Sequence, residues 1–207
     1  MMYKDYLEKN HSFDKKTMLG IFCMIIVIGG VFGFLYEYLF YFFNGGMKEF
    51  YYRGGNFLPW INIYATGSVM IYILTYKYRK SPLKVFLISV ISTGLLEYFS
   101  GLGIYIIGDG LRYWDYNTEI LNFGNINGFV CLRSVMFFGL SALLLMYVIV
   151  PFCFHVANKS NKKVFLIVTI SICSIFLADE FYNLIFTKLF NLPKATTIYK
   201  SIGIHYM

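Results

Sequence analysis

The chain has 207 residues, 58 % of them hydrophobic, with a mean hydropathy of +0.60 and a formal net charge of +7. This composition excludes a soluble globular domain and fits one polytopic membrane domain. The positive charge is concentrated in short segments between apolar runs. It therefore suits an anionic cytoplasmic leaflet, and no nucleic-acid partner is expected.

Residues 1–17 are polar and read as a cytoplasmic leader. The apolar run that follows is longer than the core of a signal peptide, so the first helix is expected to be retained. Spanning a bilayer takes about 20 apolar residues at 1.5 Å each. Five runs qualify: Met18–Phe43, Phe57–Tyr76, Val85–Ile107, Gly128–Ala157 and Val164–Phe186. The reading is an all-α, polytopic transmembrane helix bundle of about five spans, forming a single domain over 18–186. Residues 187–207, with Pro193 and His205, form an extracytoplasmic tail. Pro59 should sit in the first turn of the second span, and Pro151 should bend or end the fourth.

Charge sets the orientation. The leader and the loops at 77–84 and 159–163 hold Lys4, Lys9, Lys15, Lys16, Lys77, Arg79, Lys80, Lys84, Lys159, Lys162 and Lys163. Short Lys/Arg-rich loops stay cytoplasmic, which places the N-terminus inside and the C-terminus outside. Of the acidic residues only Asp5, Glu8 and Asp14 fall on the inner side. The polar chemistry of this multi-pass cell-membrane protein therefore faces the extracytoplasmic side. Tyr clusters near the span ends, as an interfacial aromatic belt does. Cys23, Cys131, Cys153 and Cys173 lie in apolar runs and read as free, buried and small. A short echo links Gly33-Phe34-Leu35-Tyr36-Glu37-Tyr38 with Gly94-Leu95-Leu96-Glu97-Tyr98, which hints at duplicated hairpins.

Candidate site residues follow from the cost of burying charge. A carboxylate at the centre of a membrane helix costs about 2.5–3.5 kcal/mol on insertion scales, so it normally faces a partner or a wet cavity. Glu37 and Glu97 qualify. Of Asp179 and Glu180, which point about 100° apart on a helix, one is expected to face a shared cavity, and Glu180 is preferred because Phe181 follows it as an aromatic follows Glu37 and Glu97. Arg53 and Arg133 are the natural counter-charges, for these carboxylates or for an anionic ligand. Glu37, Glu97 and Arg133 are expected to converge in one cavity. The segment at 108–127 is read as a re-entrant or capping outer loop. Its Trp114 offers an apolar face, while Asp115 and Asn127 offer directional hydrogen bonds, a mixture suited to a small solute or a lipid headgroup. No phosphate-binding loop, metal-ligand spacing or nucleophile elbow is present, so no cofactor and no metal are expected.

Tyr113-Trp114-Asp115-Tyr116, Asn122, Asn125-Ile126-Asn127-Gly128 and Cys131-Leu132 together resemble a family pattern. Trp-Asp-Tyr-Ser is followed there by Phe-Asn-Ile-x-Gly-x-Ile-Cys-Leu, in the ABC-transporter permease family labelled type IV. Thr93–Tyr98 resembles its Thr-x-x-Glu-Tyr helix. Arg53-Gly54-Gly55, Pro59 and Ile63–Gly67 resemble its Arg-Gly … Pro-Ile-Tyr-Gly-x-Gly segment. Asn117 and Ala65 depart from the Ser and Gly usual there. The resemblance implies a permease-like transport subunit served by a separate ATPase subunit. It carries Glu37, Arg53, Glu97, Trp114, Asp115, Asn127 and Arg133 into a ligand-binding site. Two other functions fit the same residues. One is an intramembrane enzyme acting on an envelope lipid or lipid-linked sugar, with Glu97 and Asp115 as acid–base candidates. The other is a structural or assembly membrane protein whose polar groups only pair with one another.

Overall fold

In the computed structural model the described residues are 3–8, 11–44 and 54–204, and they are helical with no strand. The helices are α1 (Tyr3–Glu8), α2 (Lys15–Asn44), α3 (Asn62–Thr75), α4 (Pro82–Ile107), α5 (Leu132–Leu144), α6 (Val150–Lys159), α7 (Lys162–Phe181), α8 (Thr187–Leu189) and α9 (Ala195–Ser201). Among the described residues four stretches are long and apolar enough to cross a membrane: Lys15–Phe43, Pro82–Ile107, Leu132–Lys159 and Lys162–Leu189. All four cysteines are free and buried, as expected.

The remaining expected span, 57–76, is shorter. Its helix starts only at Asn62 and ends in a 3₁₀ turn over Tyr76–Tyr78. The first backbone donors of this stretch bind elsewhere. Phe57 and Leu58 N–H donate to the Asp179 carboxylate, and Ile61 N–H donates to the Gly30 carbonyl. With its N–H groups satisfied by α7 and α2, the segment has no need of a helical first turn. Pro59 consequently lies in the bend before α3.

Pro151 does not end the fourth span. The chain widens into a π turn at Leu145–Ile149, where Val150 N–H reaches the Leu145 carbonyl, and then continues as α6. The wide turn falls where a proline ring would otherwise meet the carbonyl four residues back. A second π turn, Tyr182–Phe186, links α7 to α8.

The chain forms two compact units, residues 1–11 with 67–152 and residues 12–66 with 153–207. In the first, α4 and α5 pack antiparallel through small residues. A Cβ on Gly94 would lie 3.0 Å from Val135, and one on Gly139 would lie 2.6 Å from Val90. Glycine lets the two backbones approach where lipid supplies no hydrophobic drive between helices. The first helix, α1, belongs to this unit and is docked through Tyr6. Tyr6 is fully buried, and its carbonyl accepts from Arg79 Nε at 3.0 Å. The same guanidinium donates to the Tyr76 carbonyl and lies 4.3 Å above the Tyr76 ring.

In the second unit α2 and α7 run parallel, with Gly20 against Phe165 and Gly30 against Phe176. Trp60, Ala65 and Phe176 form its buried core with Ile26, Val27 and Val31 packed around them. Asp14 caps α2 by accepting from Thr17 N–H and the Thr17 hydroxyl. Those bonds, chiefly the one from the Thr17 amide, and Lys162 beside it hold the Asp14 carboxyl well below the usual carboxylate range.

Gly33 tests this packing. A Cβ there would fall 2.2–2.6 Å from Cγ, Cδ2 and Cβ of Tyr64, atoms close to the backbone that cannot swing aside. Gly33→Ala is therefore expected to destabilise by about 1–3 kcal/mol, the usual range for overpacking. Gly103→Ala, which meets nothing within 4 Å, is the control. Equal melting temperatures of the two variants in detergent would contradict this packing.

Candidate functional site

The first unit places Glu97 at the centre of a polar cluster. This residue lies on the third turn from the C-terminal end of α4 and is only 4 % exposed. Its Oε1 accepts from the Tyr116 hydroxyl at 2.5 Å, and its Oε2 accepts from the Ser134 hydroxyl at 2.7 Å. Ser134 is in the first turn of α5, where it also contacts the N–H and the carbonyl of Cys131 in a capping box. Glu97 thus joins α4, the 108–131 loop and the start of α5. Burial raises the Tyr116 pKa, and the adjacent carboxylate raises it further. The phenol stays protonated and acts as a donor at any physiological pH.

Arg133 reaches the same tyrosine from another side. Its guanidinium lies 5.4 Å from the Tyr116 ring centroid and 3.5 Å from Glu119 Oε2. Glu97 and Arg133, expected together from sequence, both contact Tyr116. Glu37 is half-buried on α2 and belongs to the other unit, and Arg53 lies outside the described residues.

The 108–131 loop folds back on its own helix ends. Trp114 is half-buried and donates its indole N–H to the Phe129 carbonyl at 2.9 Å. Tyr113 beside it is half exposed. Asp115 accepts from Asn117 N–H and the Asn117 side-chain amide, and lies 3.6 Å from Arg112. Asn127 takes a positive φ, donates to the Tyr98 hydroxyl, and accepts at its carbonyl from Arg112. The next residue must be glycine. Gly128 has φ +75°, and a Cβ there would strike Asn117 Nδ2, Asp115 Oδ1 and Arg112 Nη1 within 2.6 Å.

A second polar cluster occupies the other unit. Asp179, 7 % exposed, accepts from Phe57 N–H, Leu58 N–H, Trp60 Nε1 and Asn183 Nδ2, all at 2.9–3.0 Å. Glu180, equally buried, accepts from Asn56 Nδ2 at 2.6 Å and Asn62 Nδ2 at 3.0 Å. Helix geometry separates the two carboxylates, yet both are buried because residues 56–62 curl around and present donors from two directions. The C-terminal segment closes the group: Asn183 Oδ1 accepts from Ala195 N–H, and the Tyr199 hydroxyl donates to the Phe57 carbonyl. Burial pushes the Tyr199 phenol up.

Sequence reasoning assigned no role to Ser134, Glu119, Asn56 or Asn62, and it passed over Asp179. Ser134 had a local signal, a hydroxyl three residues after Cys131 at a helix start. The asparagines had none, since their partners lie 118 and 124 residues away. No group of three or more metal-ligating side chains occurs among the described residues.

A family model described as "Putative ABC-transporter type IV" matches residues 24–184, well over half of the chain. The chain belongs to this family. The match takes in both carboxylate clusters and the Trp114–Asp115 segment on which the resemblance was drawn. Together with the apolar helices, membership of the ABC-transporter type IV family fits a transport-associated protein located in a membrane, and the family points to an ATPase subunit as an associated component. No curated protein and no solved structure matches the chain.

Proposed function

We propose that the protein is the permease-like membrane subunit of a transport system, binding a small solute or a lipid headgroup from the extracytoplasmic side. Its N-terminus is inside and its C-terminus outside in this reading, and a separate ATPase subunit supplies energy. The observation that carries the proposal is Glu97, a carboxylate buried in an apolar helix and joined through Tyr116 to the Arg133 guanidinium. Paired opposite charges at a helix end are costly to keep in hydrocarbon and mark solute pathways in membrane proteins. Trp114, Asp115 and Asn127 form the rim of this site, where stacking and hydrogen bonds orient a polar ligand. Glu37, Arg53 and Glu180 are proposed as further ligand contacts.

The test is mass spectrometry of the ligand retained by the purified protein. Asp115→Asn should leave the melting temperature unchanged and lower the retained ligand, because one carboxylate oxygen and both Asn117 contacts can be kept by the amide. Loss of stability with unchanged ligand retention would remove Asp115 from the site.

The assembly reading has one observation in its favour. Asp179 already accepts four donors, all of them within its own unit. Transport that survives replacement of Glu97, Asp115 and Arg133 would favour that reading.

Orientation is tested separately. A cysteine at Asn117 should react with an impermeant thiol reagent added outside intact cells, and one at Ser160 should not. The reverse pattern would invert the topology and place the site on the cytoplasmic face.

A further inference from the structure

The 108–131 loop has an apolar edge that the polar site leaves unused. Leu121, Phe123 and Ile126 are 57 %, 55 % and 54 % exposed, and Ile120 is exposed beside them. Phe123 is fixed at the head of α5: its carbonyl accepts from Leu132 N–H at 3.0 Å, and a Cβ on Gly124 would lie 3.0 Å from Leu132 Cβ. From Leu132 an exposed apolar stripe runs down the span through Met136, Leu140, Leu144 and Val148 at four-residue spacing. That spacing is one face of a helix, and on a membrane span it is the lipid-facing one. The loop edge is thus continuous with the surface that meets acyl chains.

Two further observations fit immersion. Residues 120–132 hold no charged side chain. Part of the backbone also serves itself. Tyr116 N–H donates to the Gly128 carbonyl, Asn125 N–H to that of Asn122, and Ile126 N–H to that of Val130. Gly128 N–H donates to Asn125 Oδ1. Each such bond lowers the cost of placing irregular backbone at a poorly hydrated depth.

We propose that residues 120–126 form a membrane-contacting edge, with Leu121, Phe123 and Ile126 seated in the headgroup–acyl boundary of the bilayer that α5 crosses. One side of the loop then faces lipid while the other holds Glu97 through Tyr116. This inference rests on the membrane assignment of α5 and not on any ligand at Glu97.

The experiment is spin-label collision accessibility in reconstituted phosphatidylcholine–phosphatidylglycerol vesicles. Cysteines are introduced singly at Leu121, Phe123 and Ile126. The native cysteines are buried, so labelling at these exposed positions stands above background. Leu140→Cys is the lipid reference and Thr118→Cys the water reference. The ratio of oxygen to nickel-chelate collisions at the three positions should match Leu140 and exceed Thr118 several-fold. A ratio equal to that at Thr118 would overturn the proposal. So would shielding from both reagents with dipolar broadening, which would mean that a second copy of the chain covers the edge. Phe123→Trp, a conservative change, gives an independent reading. Brominated lipid should quench its added fluorescence, and the absence of quenching counts against the proposal even if a labelled variant is perturbed.

Discussion

Replacing Asp179 with alanine is expected to destabilise the second unit by about 3 kcal/mol. Three donors from the segment before α3 lose their acceptor: Phe57 N–H, Leu58 N–H and the Trp60 indole N–H. A buried donor left without a partner costs about 1–3 kcal/mol. Bonds of this kind in membrane proteins average nearer 0.6 kcal/mol, because the unfolded chain also finds partners, so the lower end of the range is the sounder figure. Asn183 keeps its contact with the Asp179 carbonyl, which survives the change. The indole is coupled to the core because Trp60 packs edge-on to Phe176 at 5.1 Å. Thermal unfolding in detergent measures the loss, and a red shift of tryptophan emission should accompany it. Asp179→Asn should lose about 1 kcal/mol, since one carbonyl oxygen remains. An alanine variant that melts with the wild type would show that residues 57–60 are held by something other than this carboxylate.

Glu97→Ala is expected to free the 108–131 loop from α4. Tyr116 and Ser134 would both lose their acceptor, with about 2 kcal/mol of stability at stake. Ser134 retains Cys131 as a partner, whereas the Tyr116 hydroxyl gives up its bond to Oε1. The larger consequence is therefore in the loop. Limited proteolysis within residues 117–127 should accelerate well beyond the change in global stability. Glu97→Gln separates geometry from charge. Its amide can accept from Tyr116 and donate to Ser134, so the fold should stay within about 1 kcal/mol of the wild type. A transport site at Glu97 requires the Gln variant to be stable yet defective. A Gln variant as active as the wild type would leave Glu97 a structural residue only.

How much of this could be read from the chain depended on the range of each interaction. Hydropathy and length are local, so the four long apolar helices, the helical class and the burial of Cys23, Cys131, Cys153 and Cys173 followed directly. Carboxylates inside apolar runs are also visible locally, which is why Glu97 and Glu180 were singled out. Their partners were not visible. Tyr116 stood in a motif without a role at Glu97, and Glu119, which lies 3.5 Å from Arg133, carried no signal of its own. The second helix illustrates the limit most clearly. Its composition supports a span from 57, but a carboxylate about 120 residues away takes the first N–H groups, and the helix begins at 62 instead.

Sequence by itself determined that this is a helical membrane protein, where its apolar helices run, and which charges are too expensive to leave in lipid alone. It also sufficed for the family, because Trp114–Asp115 and Asn125–Gly128 lie in contiguous segments. Only the tertiary structure decided that Glu97 is held by Tyr116 and Ser134, that Asp179 and Glu180 are both enclosed by residues 56–62, and that Tyr6 is buried beneath Arg79. The physical reason is the same in each case. Hydrophobic burial is set by the composition of a run, whereas a buried hydrogen bond requires a donor and an acceptor at about 3 Å, and folding alone brings distant residues to that separation.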